Sequence, residues 1–329
     1  MPGNFRLSLE CIHSVMMGVS MGLRDLNDEV RWERMFPDQL ERRFTQWPVL
    51  YQPYGLCEPH GPHNALGLDA LKAHKIACLT ACRHGGIVAP PDYWHIHELG
   101  DYAIWASEMI GEIERDWLTA VPPWHHFKSV CWHLRIADRL GFKAVILLTG
   151  HYGVNYVDLK RLVELVQPAV AARLFALADF EADTEGFDGR GKPQGDHAGK
   201  IETSQLWALE PAAVDMSRLP PDDRTGPHFA MGRDASEAST ASGVRMVERQ
   251  VAWLAEKTRG LVADYGRIAP TVRLRSFDDV ERLWQDIVEP ALPGFQSMQP
   301  DPNHTDRKIS QQSHWGVNWN AGSLHRRSR

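Results

Sequence analysis

Two kinds of apolar pattern alternate along the middle of the chain. The segments "PVLYQPYG" and "KAVILLTG" are short apolar runs that stop at glycine, as strands buried on both faces do. The segment "WHHFKSVCWHLRIADRLGF" instead places apolar side chains three and four residues apart, which predicts an amphipathic helix ending at Gly141. Strand, loop, helix and strand follow one another here, and this order predicts an α/β fold with a parallel sheet.

The same patterns predict further elements on both sides of this unit. Short strands are expected in "GIVAPPDYW" and "LFALADF". Helices are expected in "ALKAHKIACLTACRH", "YVDLKRLVELVQPAVAARL", "VRMVERQVAWLAEKTRGLVADY" and "FDDVERLWQDIV". The second of these should end or bend at Pro168, because proline removes a helical hydrogen bond.

Composition excludes several classes of function. The formal net charge of −6 over 329 residues gives no electrostatic reason to expect nucleic acid or an anionic membrane as a partner. No apolar run approaches the roughly 20 residues that span a bilayer. The N-terminus lacks the pattern of a signal peptide, and the five cysteines have no regular spacing. We therefore expect a cytoplasmic protein that acts on a small molecule.

The stretch "CEPHGPHNALGLD" carries the first candidate chemistry. Glu58 and His60 are two residues apart, so on an extended segment their side chains point to the same side. Asp69 follows a turn rich in glycine and proline, which can fold it back onto them. Carboxylate and neutral imidazole are good ligands for zinc, manganese or iron. Spacing alone leaves a solvated turn equally open.

Two further candidate ligands come from later segments. His151 follows the strand "KAVILLTG" between Gly150 and Gly153, and the first stretch follows the strand "PVLYQPYG". Ligands of parallel α/β sheets bind at the carboxyl ends of strands, so both segments are expected at one edge. Glu202, in "DHAGKIETSQL", could add another carboxylate.

Three blocks together carry a family resemblance. "PYGLCEPHGPHNALGLD", "LLTGHYGVN" and "DHAGKIETS" resemble, in order, the signature blocks of the creatininase (creatinine amidohydrolase) family, and the match covers about residues 36–265. That family implies a three-layer α/β/α fold with a mostly parallel central sheet and a two-metal site at its carboxyl edge. Its members commonly form hexamers, so a homo-oligomer is expected. We divide the chain into an N-terminal extension, 1–35, a creatininase-like catalytic domain, 36–265, and a C-terminal extension, 266–329.

The resemblance assigns roles to individual residues. Glu58 and His60 match the first carboxylate and imidazole ligands, one on each metal ion, and Asp69 matches the bridging aspartate. His151 matches the histidine of the second block. Two residues of the third block complete the set, His197 as a candidate proton shuttle in the active site and Glu202 as the block's glutamate.

The sequence departs from creatininase itself at two places. Creatininase has a metal-binding glutamate two residues after the second-block histidine, where this chain has Gly153. We therefore take Glu202 as the fifth ligand, and we also place it with His197 in the catalytic group. Creatininase also has tryptophans ahead of its third block that cover creatinine, whereas "EGFDGRGKPQGD" has none. Creatinine is therefore not the expected substrate.

These residues predict a metal-dependent hydrolase with two divalent ions, zinc, manganese or iron. Metal coordination yields hydroxide at neutral pH, which attacks a carbonyl carbon while His197 protonates the leaving group. The expected bond is the C–N bond of a small, polar, cyclic amide or of a formamide. The alternative is C–C cleavage of a cyclic diketone, such as a diketo-inositol in inositol catabolism. A metal-stabilised binding protein without catalysis is the third reading, against which the retained His197 argues.

Other histidines and the tail receive weaker expectations. His63 matches the second motif histidine and is expected beside the site or in a turn. Surface or core positions are favoured over the pocket for His84, His95, His97, His125, His126 and His133. The tail carries Trp284, Trp315 and Trp319, and aromatic residues are enriched where chains meet. We expect it to pack along its own domain and a neighbouring subunit, with a locally packed or floppy extension as the alternative.

Overall fold

A four-stranded parallel sheet forms the centre of the protein. The computed structural model describes residues 29–97, 117–183, 196–219, 232, 234–267 and 273–298. The strands are β1 (Val49–Tyr54), β2 (Ile87–Val88), β3 (Ala144–Thr149) and β4 (Arg173–Ala178). They lie in the order β2-β1-β3-β4, and every neighbouring pair is parallel. The parallel sheet predicted from the apolar runs is confirmed.

Helices connect the strands and extend the chain beyond them. They are α1 (Pro37–Gln46), α2 (Leu68–His84), α3 (Pro123–Leu140), α4 (Val154–Val166), α5 (Lys200–Leu209), α6 (Thr240–Arg267) and α7 (Phe277–Leu283). After α7 the chain continues through a π turn, Trp284–Val288, and a short α turn, Glu289–Ala291. No helix in the described ranges is both long and apolar enough to cross a membrane.

The helices cover both faces of the sheet. Successive side chains of a strand point to opposite faces, so Val145 and Leu147 join one apolar cluster and Ile146 and Leu148 join another. Helices α3, α4 and α7 contribute to the first cluster, and α2 and α6 contribute to the second. The protein therefore has three layers, which confirms the expected α/β/α fold class.

Two helix ends lie where the sequence places them. Gly141 follows α3 in the left-handed conformation, with φ of 90°, and its N–H bonds back to Ala137 and Asp138. Helix α4 ends at Val166, and a 3-10 turn through Pro168 follows it.

Asp69 corrects one expectation. The sequence pattern predicts a helix that starts at Ala70, directly after Asp69, but α2 begins at Leu68, so Asp69 lies in the first helical turn. A carboxylate is favourable there because the helix N-terminus carries partial positive charge.

Part of the C-terminal extension belongs to the central core. Leu274, Val280, Trp284 and Phe295 are buried in the same apolar cluster as α3 and α4. Asp138 fixes the start of this segment by accepting the N–H of Leu274 at 2.7 Å. Local packing is thus established for 273–298. Trp315, Trp319 and most of the N-terminal extension lie outside the described residues, and the domain division stays a prediction.

Candidate metal centre

Glycine allows the strand ends to touch the start of α2. A Cβ atom on Gly150, directly after β3, would lie 2.1 Å from the carbonyl oxygen of Asp69. A Cβ on Gly55, directly after β1, would lie 2.3 Å from the backbone nitrogen of Ala70. Only residues without a side chain permit these approaches. The carboxyl edge of the sheet therefore presses against the helical turn that carries Asp69.

The first group of candidate ligands consists of Glu58, Asp69 and His151. His151 Nδ1 lies 2.9 Å from Glu58 Oε1 and 3.1 Å from Asp69 Oδ2. All three side chains are buried. One atom from each falls within 4.8 Å of the other two. A carboxylate pair and an imidazole converging in this way form a suitable donor set for a divalent cation.

The second group consists of His60, Asp69 and Glu202. His60 Nε2 lies 3.2 Å from Asp69 Oδ1 and 3.7 Å from Glu202 Oε2. Ligands of one ion, bound at about 2.0 to 2.2 Å, are separated from one another by roughly 3 to 3.6 Å. The imidazole–carboxylate distances in the two groups, 2.9 to 3.7 Å, lie within about 0.1 Å of that range. Asp69 directs one oxygen to each group, so it can bridge two ions.

His197 lies against the second group. Its ring stacks on that of His60 with centroids 4.5 Å apart, and its Nε2 lies 3.0 Å from the carbonyl oxygen of Pro59. A further triad of Glu58, His60 and His197 also meets the 4.8 Å spacing. The structure thus brings together all six residues predicted from the sequence. Whether each one binds a metal or moves a proton stays a prediction.

Burial and charge act in opposite directions on these groups. Burial disfavours the protonated form of His60, but the carboxylates of Asp69, Glu58 and Glu202 outweigh it and raise the pKa of His60 to about 9. Burial also opposes ionisation of Glu58, yet the imidazoles of His151 and His197 hold the pKa of that carboxyl well below its usual value. Burial lowers the pKa of His197, partly against the charge of Glu58. The site concentrates negative charge, as a cation site requires.

His97 is a site residue that the sequence did not single out. Its Nε2 lies 3.0 Å from Glu58 Oε2, the carboxylate oxygen not facing His151, so it helps to orient Glu58. We had favoured a core or surface position for it, and its loop position gave no signal of this contact. His63, by contrast, is buried and pairs with the hydroxyl of Thr203 at 3.0 Å, beside the site as expected.

The other histidines lie at the surface or in the core, as expected. His84 and His125 are exposed. His95 and His126 are buried and lie against each other, with ring centroids 4.1 Å apart. His133 pairs with the hydroxyl of Tyr54 at 2.9 Å.

Lys72 is a buried residue beside the site that the sequence analysis did not identify. Lys72 Nζ lies 2.5 Å from both Glu202 Oε1 and the hydroxyl of Tyr152. Tyr152 donates in turn to Asp179 Oδ1 at 2.6 Å. Two signals could have found this network: Lys72 follows Asp69 by three residues on a helix, which puts both on one face, and Asp179 follows a predicted strand.

Comparison with protein-family models gives a match over part of the chain. The family model described as "Creatininase: Creatinine amidohydrolase" matches residues 122–260. No curated protein matches the chain in sequence. The resemblance to the creatininase family is therefore confirmed over residues 122–260, which include the second and third motifs but not the first.

Solved structures share the fold at low sequence identity. One titled "Creatininase Mn" has a TM-score of 0.54 and 24% identity, covering 70% of this chain and 98% of its own. A crystal structure of creatinine amidohydrolase has a TM-score of 0.53 and 23% identity, covering 74% and 99%. A mutant creatininase of "Zn-Zn type" has a TM-score of 0.53 and 24% identity, covering 70% and 98%. This likeness confirms the creatininase fold.

Proposed function

We propose that the protein is a hydrolase that uses two divalent ions at the carboxyl edge of its sheet to cleave a C–N bond beside a carbonyl. The substrate class we favour is a small, polar, cyclic amide, with formamides next. Zinc or manganese is the favoured metal, since two structures of the same fold are described as a manganese and a zinc form of creatininase.

One observation carries the proposal above the others. Asp69 presents one carboxylate oxygen to the group of Glu58 and His151, and the other to the group of His60 and Glu202. A single metal needs no such division of one side chain. The arrangement therefore supports two ions held side by side by Asp69.

When bound, such ions lower the pKa of a coordinated water and polarise a carbonyl oxygen. The chain's own residues supply the remaining functions. His197 stacks beside His60 and accommodates a proton on its imidazole, so it can protonate a leaving nitrogen. Its pKa is lowered by burial, which makes the protonated ring a stronger acid. His97 holds Glu58 in orientation through Oε2.

A second chemistry uses the same site. Attack on a cyclic β-diketone would expel a carbon leaving group, and His197 would then protonate carbon or an enolate oxygen. Two sequence features favour this alternative over creatinine itself. Gly153 stands at the second-block glutamate position, and the segment "EGFDGRGKPQGD" directly before the third block contains no tryptophan. The non-catalytic alternative explains the ligands but gives no role to His197.

A substrate screen on metal-loaded protein tests the proposal. Purified protein is reconstituted with zinc or manganese and assayed against cyclic amides, formamides and cyclic diketones. We expect turnover in the first class, abolished by a chelator and by Asp69→Asn. The Lys75→Met variant is the control, because Lys75 lies on the same helix as Asp69 but pairs with Glu210, which is not one of the candidate ligands. Turnover of diketones alone would favour C–C cleavage, and no turnover by metal-loaded protein in any class would contradict a hydrolase of this type.

A further inference from the structure

Lys72 is the only lysine among the described residues that is completely buried. It projects from α2, one helical turn after Asp69, towards α5 and the end of β4. Burying an ammonium group is costly unless anions and hydrogen-bond acceptors surround it. Its presence beside the candidate metal ligands therefore requires an explanation in terms of what it touches.

The partners of Lys72 form a closed network. The ammonium lies 2.5 Å from Glu202 Oε1 and 2.5 Å from the Tyr152 hydroxyl, with Asp179 Oδ2 at 3.6 Å. The Tyr152 hydroxyl accepts from Lys72 and donates to Asp179 Oδ1. Asp179 is held by its own backbone, whose carbonyl accepts from Gln250 at 3.0 Å. Each member thus limits the rotation of the next.

This network leaves Glu202 one orientation. Lys72 occupies Oε1, while Oε2 accepts the backbone N–H of Ala198 at 2.9 Å and faces His60 Nε2 at 3.7 Å. Only Oε2 is therefore directed at the second ligand group. Position 153 cannot supply a ligand in place of Glu202, because it is occupied by glycine.

We propose that Lys72, anchored by Tyr152 and Asp179, is a positioning residue that fixes Glu202 so that Oε2 alone serves the second metal site. The inference rests on the proposed function, in which Glu202 is a ligand. Residues that orient metal ligands typically contribute 10- to 100-fold to metal affinity. An ammonium also repels a cation, so on charge alone its removal would tighten metal binding. A positioning role predicts the opposite effect, weaker metal binding when Lys72 is removed.

Metal titration of variants tests this inference. Binding of Zn²⁺ and Co²⁺ is measured by calorimetry, and the visible absorption of Co²⁺ reports the ligand geometry independently of activity. In Lys72→Met we expect the second ion to bind about 10- to 100-fold more weakly, with a changed Co²⁺ spectrum, and the first ion to bind as in the wild type. Lys75→Met, which removes a partly exposed lysine on the same helix, should bind both ions normally.

Two further variants keep the test decisive. Tyr152→Phe keeps the ammonium and removes only the hydroxyl, so it should also lower the affinity for the second ion, but by less than Lys72→Met does. This variant provides the test if Lys72→Met does not fold. Unchanged or tighter binding in the folded variants would overturn the positioning role. Glu202→Gln separates this outcome from failure of the proposed function. Normal binding of both ions in Glu202→Gln would show that Glu202 is not a ligand. If Glu202→Gln loses the second ion while Lys72→Met binds both ions normally, Glu202 remains a ligand and only the positioning role of Lys72 is refuted.

Discussion

Replacing Gly150 by alanine should damage the metal centre without replacing any of its candidate ligands. The new Cβ would lie 2.1 Å from the Asp69 carbonyl oxygen, and contacts under 3.0 Å are essentially never seen for real Cβ atoms. The strand end and the helix must therefore separate by about 0.9 Å, the difference between these two distances. Because the backbone fixes the position of Cβ and the oxygen is a backbone atom, no side-chain rotation can relieve the contact.

The displacement moves Asp69, which serves both ligand groups. A misplacement of about 1 Å at a reacting centre typically costs about 10²-fold in rate, or about 2.7 kcal/mol. We expect Gly150→Ala to lose about that much activity and to hold less than the full metal content. Metal analysis after gel filtration, with activity and circular dichroism on the same sample, measures both effects.

Gly260→Ala is the matched control. Gly260 lies within α6, and a Cβ there meets nothing within 4 Å. Alanine should stabilise that helix by up to about 1 kcal/mol and leave metal content unchanged. A folded Gly150→Ala protein with wild-type metal content and activity would refute the reasoning that the close approach positions Asp69.

Four further predictions follow from the site and the termini. Asp69→Asn should reduce bound metal below one ion per chain, because it weakens both ligand groups; elemental analysis finding two ions would contradict this. His197→Ala should keep both ions and lose about 10²- to 10⁴-fold in turnover; loss of metal would make His197 a ligand, and an unchanged rate would remove it from catalysis. The pKa of His60 is raised from 6.5 to about 9 in the metal-free fold, so its stabilising contribution, on the order of 3 kcal/mol, is present below pH 6.5 and lost as pH rises through 9. In urea unfolding of protein treated with a chelator, the free energy of unfolding relative to that of His60→Asn should fall over this pH range. The same pH dependence in both proteins would contradict the prediction. Truncation after Met298 should reduce the oligomer and the activity if the tail assembles subunits, whereas unchanged sedimentation and full activity would refute that role; truncation after Tyr265 cannot make the distinction because it removes core residues.

The sheet was predictable from the sequence because its signals are local. A parallel strand buried on both faces reads as a continuous apolar run, and the carboxyl ends of such strands meet at one edge. The positions of Glu58 and His151 follow from those two facts. The predicted bridging role of Asp69 and the predicted place of His197 came instead from motif resemblance, since neither has a local pattern that specifies its partners.

Contacts between distant segments were not predictable in this way. His97 meets Glu58 from a loop 39 residues later, and Lys72 meets Glu202 across 130 residues. Such pairs depend on how α2, α5 and the strand ends pack in three dimensions. The start of α2 at Leu68 instead of Ala70 has a simpler cause, because helix boundaries are the weakest part of pattern reading.

Anomalous diffraction from crystals of the manganese-loaded protein tests the central claim most directly, because it locates the ions. The account predicts two peaks at the carboxyl edge of the sheet, both in contact with Asp69. The other contacts should divide between the peaks, with Glu58 and His151 on one and His60 and Glu202 on the other. A single peak, peaks elsewhere, or two ions that Asp69 does not bridge would contradict it.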